Sequence, residues 1–97
     1  YEEIGKRFFP IDVSFLPIGS YKPSRYTRQH ISPRQAVQLH LMVGSKKSIA
    51  MHWGTFGMVY ERLEDPPADL NRARLELKVP VSDFFTLFHG EICPLFE

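Results

Sequence analysis

Four histidines, His30, His40, His52 and His89, and a single Cys93 are the side chains best suited to chemistry in this 97-residue sequence. Neutral imidazole binds metal ions and exchanges protons near neutral pH. His52 lies in the stretch Lys46-Lys47-Ser48-Ile49-Ala50-Met51-His52-Trp53-Gly54-Thr55-Phe56. Two charges run into a short apolar strand, which ends at the histidine and gives way to an aromatic and a glycine turn. A histidine at a strand end has a fixed backbone behind it, which suits a metal or catalytic site. His30 falls in a loop and His89 at the end of a later apolar run, in comparable positions. His40 stacks over Ala36 and Val37 by helical spacing, which favours a hydrogen-bonded core residue over a ligand.

Local motifs exclude several chemistries. There is no H-E-x-x-H and no cysteine pair, and the histidine spacing fits no local zinc signature. There is no G-x-S-x-G nucleophile elbow. Gly54-x-x-Gly57 is too sparse for a dinucleotide or phosphate loop. A catalytic zinc site takes about three protein ligands plus an open position. These scattered histidines do not build one alone, and spacing by itself leaves His52, His30 and His89 open between a ligand and a structural role.

The elements that must position these residues alternate. Residues 2–8 read as the end of a helix that Pro10 stops. A strand follows over Asp12–Ile18, weakened at Pro17, which has no amide donor. The loop from Gly19 to Ile31 carries Tyr21, Lys22, Arg25, Tyr26 and Arg28. It reads either as a solvated basic loop or as a surface for anionic groups, for which arginine supplies a planar fork. Ser32, Pro33 and Gln35 form a helix start with a capping box, and Gly44 is placed to end that helix in a left-handed conformation. The second strand is expected over Ser48–His52, with Ile49 and Met51 on one face and Ala50 and His52 on the other. Residues 58–64 carry no decisive pattern. Asp65-Pro66-Pro67 opens another helix, with Leu70, Ala73 and Leu77 as its apolar stripe and Asp69–Arg72 and Arg72–Glu76 as surface pairs. The last strand is expected over Phe84–His89. The alternation argues for an α/β layered fold, with functional loops at the carboxyl ends of the strands.

Composition narrows the classes further. The length allows one small domain. A net charge of +1 gives no electrostatic reason to expect nucleic acid. One cysteine rules out an intrachain disulfide, and nothing around Cys93 would activate its thiol. No run approaches a membrane-spanning length, and no signal peptide is visible. The sequence opens on Tyr1 within a helical pattern and is expected to be a segment of a longer protein.

The stretch Lys47–Phe56 resembles the last metal-ligand motif of the N-acylphosphatidylethanolamine-hydrolysing phospholipase D family, within the metallo-β-lactamase superfamily. The likeness extends through Glu3–Phe8, Leu16–Gly19, Gln29-His30, Ala36-Val37, Asp65-Pro66-Pro67, Asp83-Phe84-Phe85 and His89-Gly90-Glu91, in matching order. It implies that residues 1–97 are the C-terminal portion of one metallo-β-lactamase αββα sandwich whose N-terminal part is absent. It implies His52 as a ligand of one of two zinc ions, and Gln29 and His30 as substrate-binding residues near the phosphate, with His30 also catalytic. The implied reaction cleaves N-acylphosphatidylethanolamine to N-acylethanolamine and phosphatidic acid. The family's H-x-H-x-D-H motif, a further histidine and a bridging aspartate would lie upstream, so the isolated chain is expected to be inactive. A phospholipid substrate implies peripheral membrane contact, aided by Lys22, Arg25 and Arg28, in an intracellular enzyme for which a homodimer is one expected state. Two alternatives stand beside it: a hydrolase of the same fold acting on another phosphoester or a lactone, and a non-catalytic module binding anionic lipid or RNA through the Tyr/Arg loop.

Overall fold

The computed structural model describes residues 1–22, 29–55 and 61–95. Its elements are α1 (Glu2–Phe8), β1 (Ile11–Pro17), α2 (Pro33–Val43), β2 (Ser45–Met51), α3 (Asp65–Leu77) and β3 (Phe84–Phe85). The strands form one parallel sheet in the order β1-β2-β3. The expected α/β alternation is therefore present, with helical crossovers between parallel neighbours.

Helix α2 starts and stops where its sequence signals stand. Ser32 Oγ accepts the Gln35 amide, Gln35 Oε1 accepts the Ser32 amide, and Pro33 occupies the first turn. Gly44 ends the helix at φ 66°, where its amide reaches the carbonyls of His40 and Leu41. A left-handed residue is easiest for glycine. Here the ring of Phe9 also fills the space a Cβ would need, with its Cδ2 only 2.4 Å from that position.

The buried face of the sheet presents Leu16 and Ala50, packed with Ile18, Ala36, Val37, Leu39, Leu70, Ala73 and Phe84. These residues bring α2 and α3 onto that face. Register places Phe15, Ile49 and Phe85 abreast on the opposite face. There Ile49 is buried between its neighbours, whereas Phe15 is 58% and Met51 43% exposed. The described residues thus form helices on one side of a sheet whose other apolar face is open.

Several boundaries differ from expectation, each for a local reason. Strand β2 begins at Ser45, because Lys46 and Lys47 sit in the ladder, with Lys46 Nζ 3.5 Å from Asp12 on β1. Its central position buries Ser48, Ile49 and Ala50 in succession, which overrides simple alternation. His52 has left the strand, with φ 64°. Strand β3 holds only two residues; a short apolar run does not by itself define a strand. The chain turns away instead, with Glu91 N–H donating to the Phe88 carbonyl and Phe88 N–H donating to Glu91 Oε1. His89 accordingly lies in that turn and not at a strand end. On α3, Arg72 pairs with Asp69, while Glu76 pairs with Arg34 of α2 instead of Arg72.

His40 is the core histidine its spacing indicated. It is 4% exposed, with Nδ1 2.7 Å from Ser48 Oγ and its ring tilted against Phe84. Burial pushes its pKa below the ordinary value, against a smaller upward pull from Asp83. The folded state therefore prefers neutral His40, and the unfolded chain binds a proton more readily. His40 consequently destabilises the fold as pH falls through the unfolded value of about 6.5. Denaturant unfolding between pH 7.5 and 5 is expected to show this loss, and His40→Gln is expected to flatten that part of the profile. An unchanged slope in His40→Gln would assign the pH dependence to other groups.

Candidate functional site

The site is built where β1 and β2 end together. Pro17 stands opposite Met51, and Ile18 N–H donates to the Met51 carbonyl at 3.1 Å. Both chains then turn through left-handed residues, Ser20 and His52, each with φ 64°. For a residue with a Cβ this conformation costs roughly 1–2 kcal/mol. The two turns touch at Gly19, where a Cβ would stand 2.0 Å from the His52 carbonyl oxygen. Only glycine lets the two backbones approach this closely.

His52 projects its imidazole from this corner and is exposed. His30, which follows the first loop, stacks with it: the ring centroids are 5.6 Å apart and the planes differ by 17°. Gln29, His30 and His52 line one cavity of about 520 Å³, together with Tyr1, Ile31 and Met51. The structure thus brings together the three residues expected to carry function. His89 reaches the neighbourhood through Thr55, whose Oγ1 is 3.3 Å from His89 Nε2. His40 is remote from the cavity and belongs to the core.

The loop leaving β1 is held by carboxylates. Glu61 is only 8% exposed and accepts the backbone amides of Ser20, Tyr21 and Lys22 at 2.9, 2.6 and 3.0 Å. Tyr21 donates its hydroxyl to Asp69. Burial and that bond push the Tyr21 pKa far up, so the phenol stays protonated. Lys22 Nζ lies 3.1 Å from Asp65 and 3.6 Å from Asp69, and the hydrogen bond to Asp65 raises its pKa. Asp65 is held below the usual carboxylate range, first by the Arg62 amide and then by Lys22. Lys22 is therefore an internal clamp rather than a free basic group. Arg25, Tyr26 and Arg28, the rest of the basic loop, lie outside the described residues. Sequence reasoning missed Glu61: its partners are main-chain amides, which leave no side-chain pattern, and its neighbourhood showed no periodicity.

A family model described as a beta-lactamase superfamily domain matches residues 1–53, which include β1, α2, β2, His30 and His52. The chain belongs to the beta-lactamase superfamily. Among its relatives is the N-acyl-phosphatidylethanolamine-hydrolyzing phospholipase D 1 of Caenorhabditis elegans, 36% identical over 97 residues, or 95% of this chain. The chain spans 27% of that protein's length. An uncharacterized protein of Mycobacterium tuberculosis is 39% identical over 59 residues, which is 58% of this chain and 16% of that protein. The family likeness carried by the His52 motif and its flanks is thus found, and the α/β fold agrees with a superfamily member.

Among the described residues, no three His, Cys, Asp or Glu side chains converge to hold a metal ion. His52 nevertheless fits one ligand of such a site. It is an exposed imidazole on a constrained strand end, facing a cavity, and no hydrogen bond or ion pair among the described residues engages its ring. No helix among them is long and apolar enough to cross a membrane.

Proposed function

We propose that these residues form the C-terminal part of a metal-dependent phosphodiester hydrolase of the phospholipase D type, acting on N-acylphosphatidylethanolamine. The observation that carries this reading is the stacked His30–His52 pair, lining one cavity with Gln29 at the carboxyl ends of β1 and β2. The activity for which the nematode relative is named supplies the substrate class. In this reading His52 is one ligand of a zinc site, expected to hold two ions, whose other ligands come from the remainder of the protein. The open sheet face bearing Phe15 and Met51 is where the second layer of the sandwich packs.

A bound divalent metal supplies Lewis-acid polarisation of the phosphoryl group. This chain's residues supply position. Gln29 offers an amide donor to phosphoryl oxygens, and His30 is one ring away from His52. From there its imidazole N–H hydrogen-bonds the phosphate or delivers a proton to the leaving alkoxide of the N-acylethanolamine. Because the substrate is a membrane lipid, the enzyme works in peripheral contact with a bilayer. Within the loop after β1, Lys22 is engaged by Asp65 and Asp69, which leaves Arg25 and Arg28 as its remaining basic residues.

The role of His30 is tested by His30→Ala in the full-length protein, assayed on N-acylphosphatidylethanolamine in vesicles. The expected result is a fall in kcat of about 100-fold with zinc content unchanged. Wild-type turnover in His30→Ala would remove His30 from the reaction.

A further inference from the structure

A small cleft of about 30 Å³ separates the His52 corner from the turn that precedes α3, with Gly19, Ser20 and His52 on one wall and Glu61 and Pro66 on the other. Across it, Glu61 Oε2 accepts the Ser20 amide, and Oε1 accepts those of Tyr21 and Lys22. Three successive amides converging on one anion form a nest, here filled by a side chain of the same protein. Lys22 is directed to Asp65 and Asp69, so among the described residues the buried Glu61 carboxylate is held by main-chain amides. Asp65 is itself occupied by Lys22 and the Arg62 amide and does not duplicate this role.

We propose that Glu61 is a positioning residue for the His52–His30 corner, acting through the turn at residues 19–22 and not on the substrate. By gathering the three amides, the carboxylate fixes Ser20 in its left-handed conformation. That conformation lays Gly19 flat against the His52 carbonyl. The contact in turn holds His52 in its own left-handed conformation and aims its imidazole toward His30. The proposal rests on the reading of His52 as a metal ligand, and the test separates the two.

Glu61→Gln keeps the size of the side chain but replaces one acceptor oxygen with a donor, so at least one amide loses its partner. In the full-length protein, Zn2+ affinity is expected to fall about tenfold, as for other residues that orient a ligand from behind. Lipid turnover is expected to lose kcat with little change in KM. In the metal-free protein, the imidazole 15N resonances of His52 are expected to shift. Adding Ser20→Gly to Glu61→Gln is expected to recover part of the Zn2+ affinity, because glycine takes the left-handed conformation without a Cβ penalty. Glu64→Gln, which alters an exposed carboxylate nearby, is expected to change none of these quantities.

Unchanged His52 resonances and Zn2+ affinity in Glu61→Gln would overturn the proposal and leave Glu61 a stabilising residue only. Lost affinity with unshifted His52 resonances and no recovery by Ser20→Gly would overturn it as well. If the wild-type protein binds no Zn2+ and His52→Ala has no effect, the hydrolase reading fails instead. The His52 resonances still decide whether Glu61 positions that corner.

Discussion

His52→Ala in the full-length protein is expected to cost about 100-fold or more in zinc affinity at its site, with at least as large a loss of turnover. Removing a ligand outright should exceed the 10–100-fold typical of residues that merely orient one. Stability should move the other way or not at all. His52 is exposed and left-handed at φ 64°, a conformation costing a residue with a Cβ roughly 1–2 kcal/mol. His52→Gly is therefore expected to bind metal as poorly as His52→Ala, while its metal-free form unfolds at higher denaturant than metal-free wild type, with a gain of about 1 kcal/mol. Such an exchange of stability for function marks a residue kept in a strained conformation for its chemistry. Metal analysis by mass spectrometry, and denaturant unfolding after the metal has been removed, check both halves. Full zinc occupancy in His52→Ala would remove His52 from the ligand set.

Gly19→Ala is expected to be the most destabilising single-methyl change at the site. The added carbon would meet the His52 carbonyl oxygen at 2.0 Å, and its neighbours there are backbone atoms that cannot rotate away. Relief requires the ends of β1 and β2 to separate, which strains the bond from Ile18 N–H to the Met51 carbonyl and the Glu61 bonds beyond it. Overpacking of this kind costs about 3 kcal/mol. Denaturant unfolding reads the cost, and loss of activity should accompany it because the same movement displaces His52. Gly54→Ala is the informative contrast. Among the described residues nothing lies within 4 Å of its Cβ position, which leaves the penalty of φ 76°, about 1 kcal/mol. Equal losses for the two variants would show that close backbone approach is not what Gly19 provides.

How much of this was legible depended on where each signal resides. Helix α2 could be read from both ends, because its capping box and its terminal glycine are side-chain choices. Leu70 and Ala73 of α3 followed the helical period into the core, and His40 followed it to Ser48. Strand limits were harder. Lys46 and Lys47 sit in the ladder despite their charge, and the apolar run after Phe84 leaves the sheet after two residues. At the site, the residue types of His52, His30 and Gln29 were visible, but their convergence on one cavity was not. It depends on the two strand ends lying side by side and on His30, distant from His52 in sequence, being placed against it. The left-handed turn at His52 and the role of Glu61 left no sequence trace, since both are built from main-chain geometry.

The most direct test of the functional claim is product analysis. The full-length protein, loaded with zinc, would be presented with vesicles containing N-acylphosphatidylethanolamine. The proposed function predicts N-acylethanolamine and phosphatidic acid in equal amounts, with formation lost in His52→Ala. Intact lipid, alongside turnover of a soluble phosphodiester or a lactone by the same preparation, would contradict the assigned substrate and leave a superfamily hydrolase of different specificity.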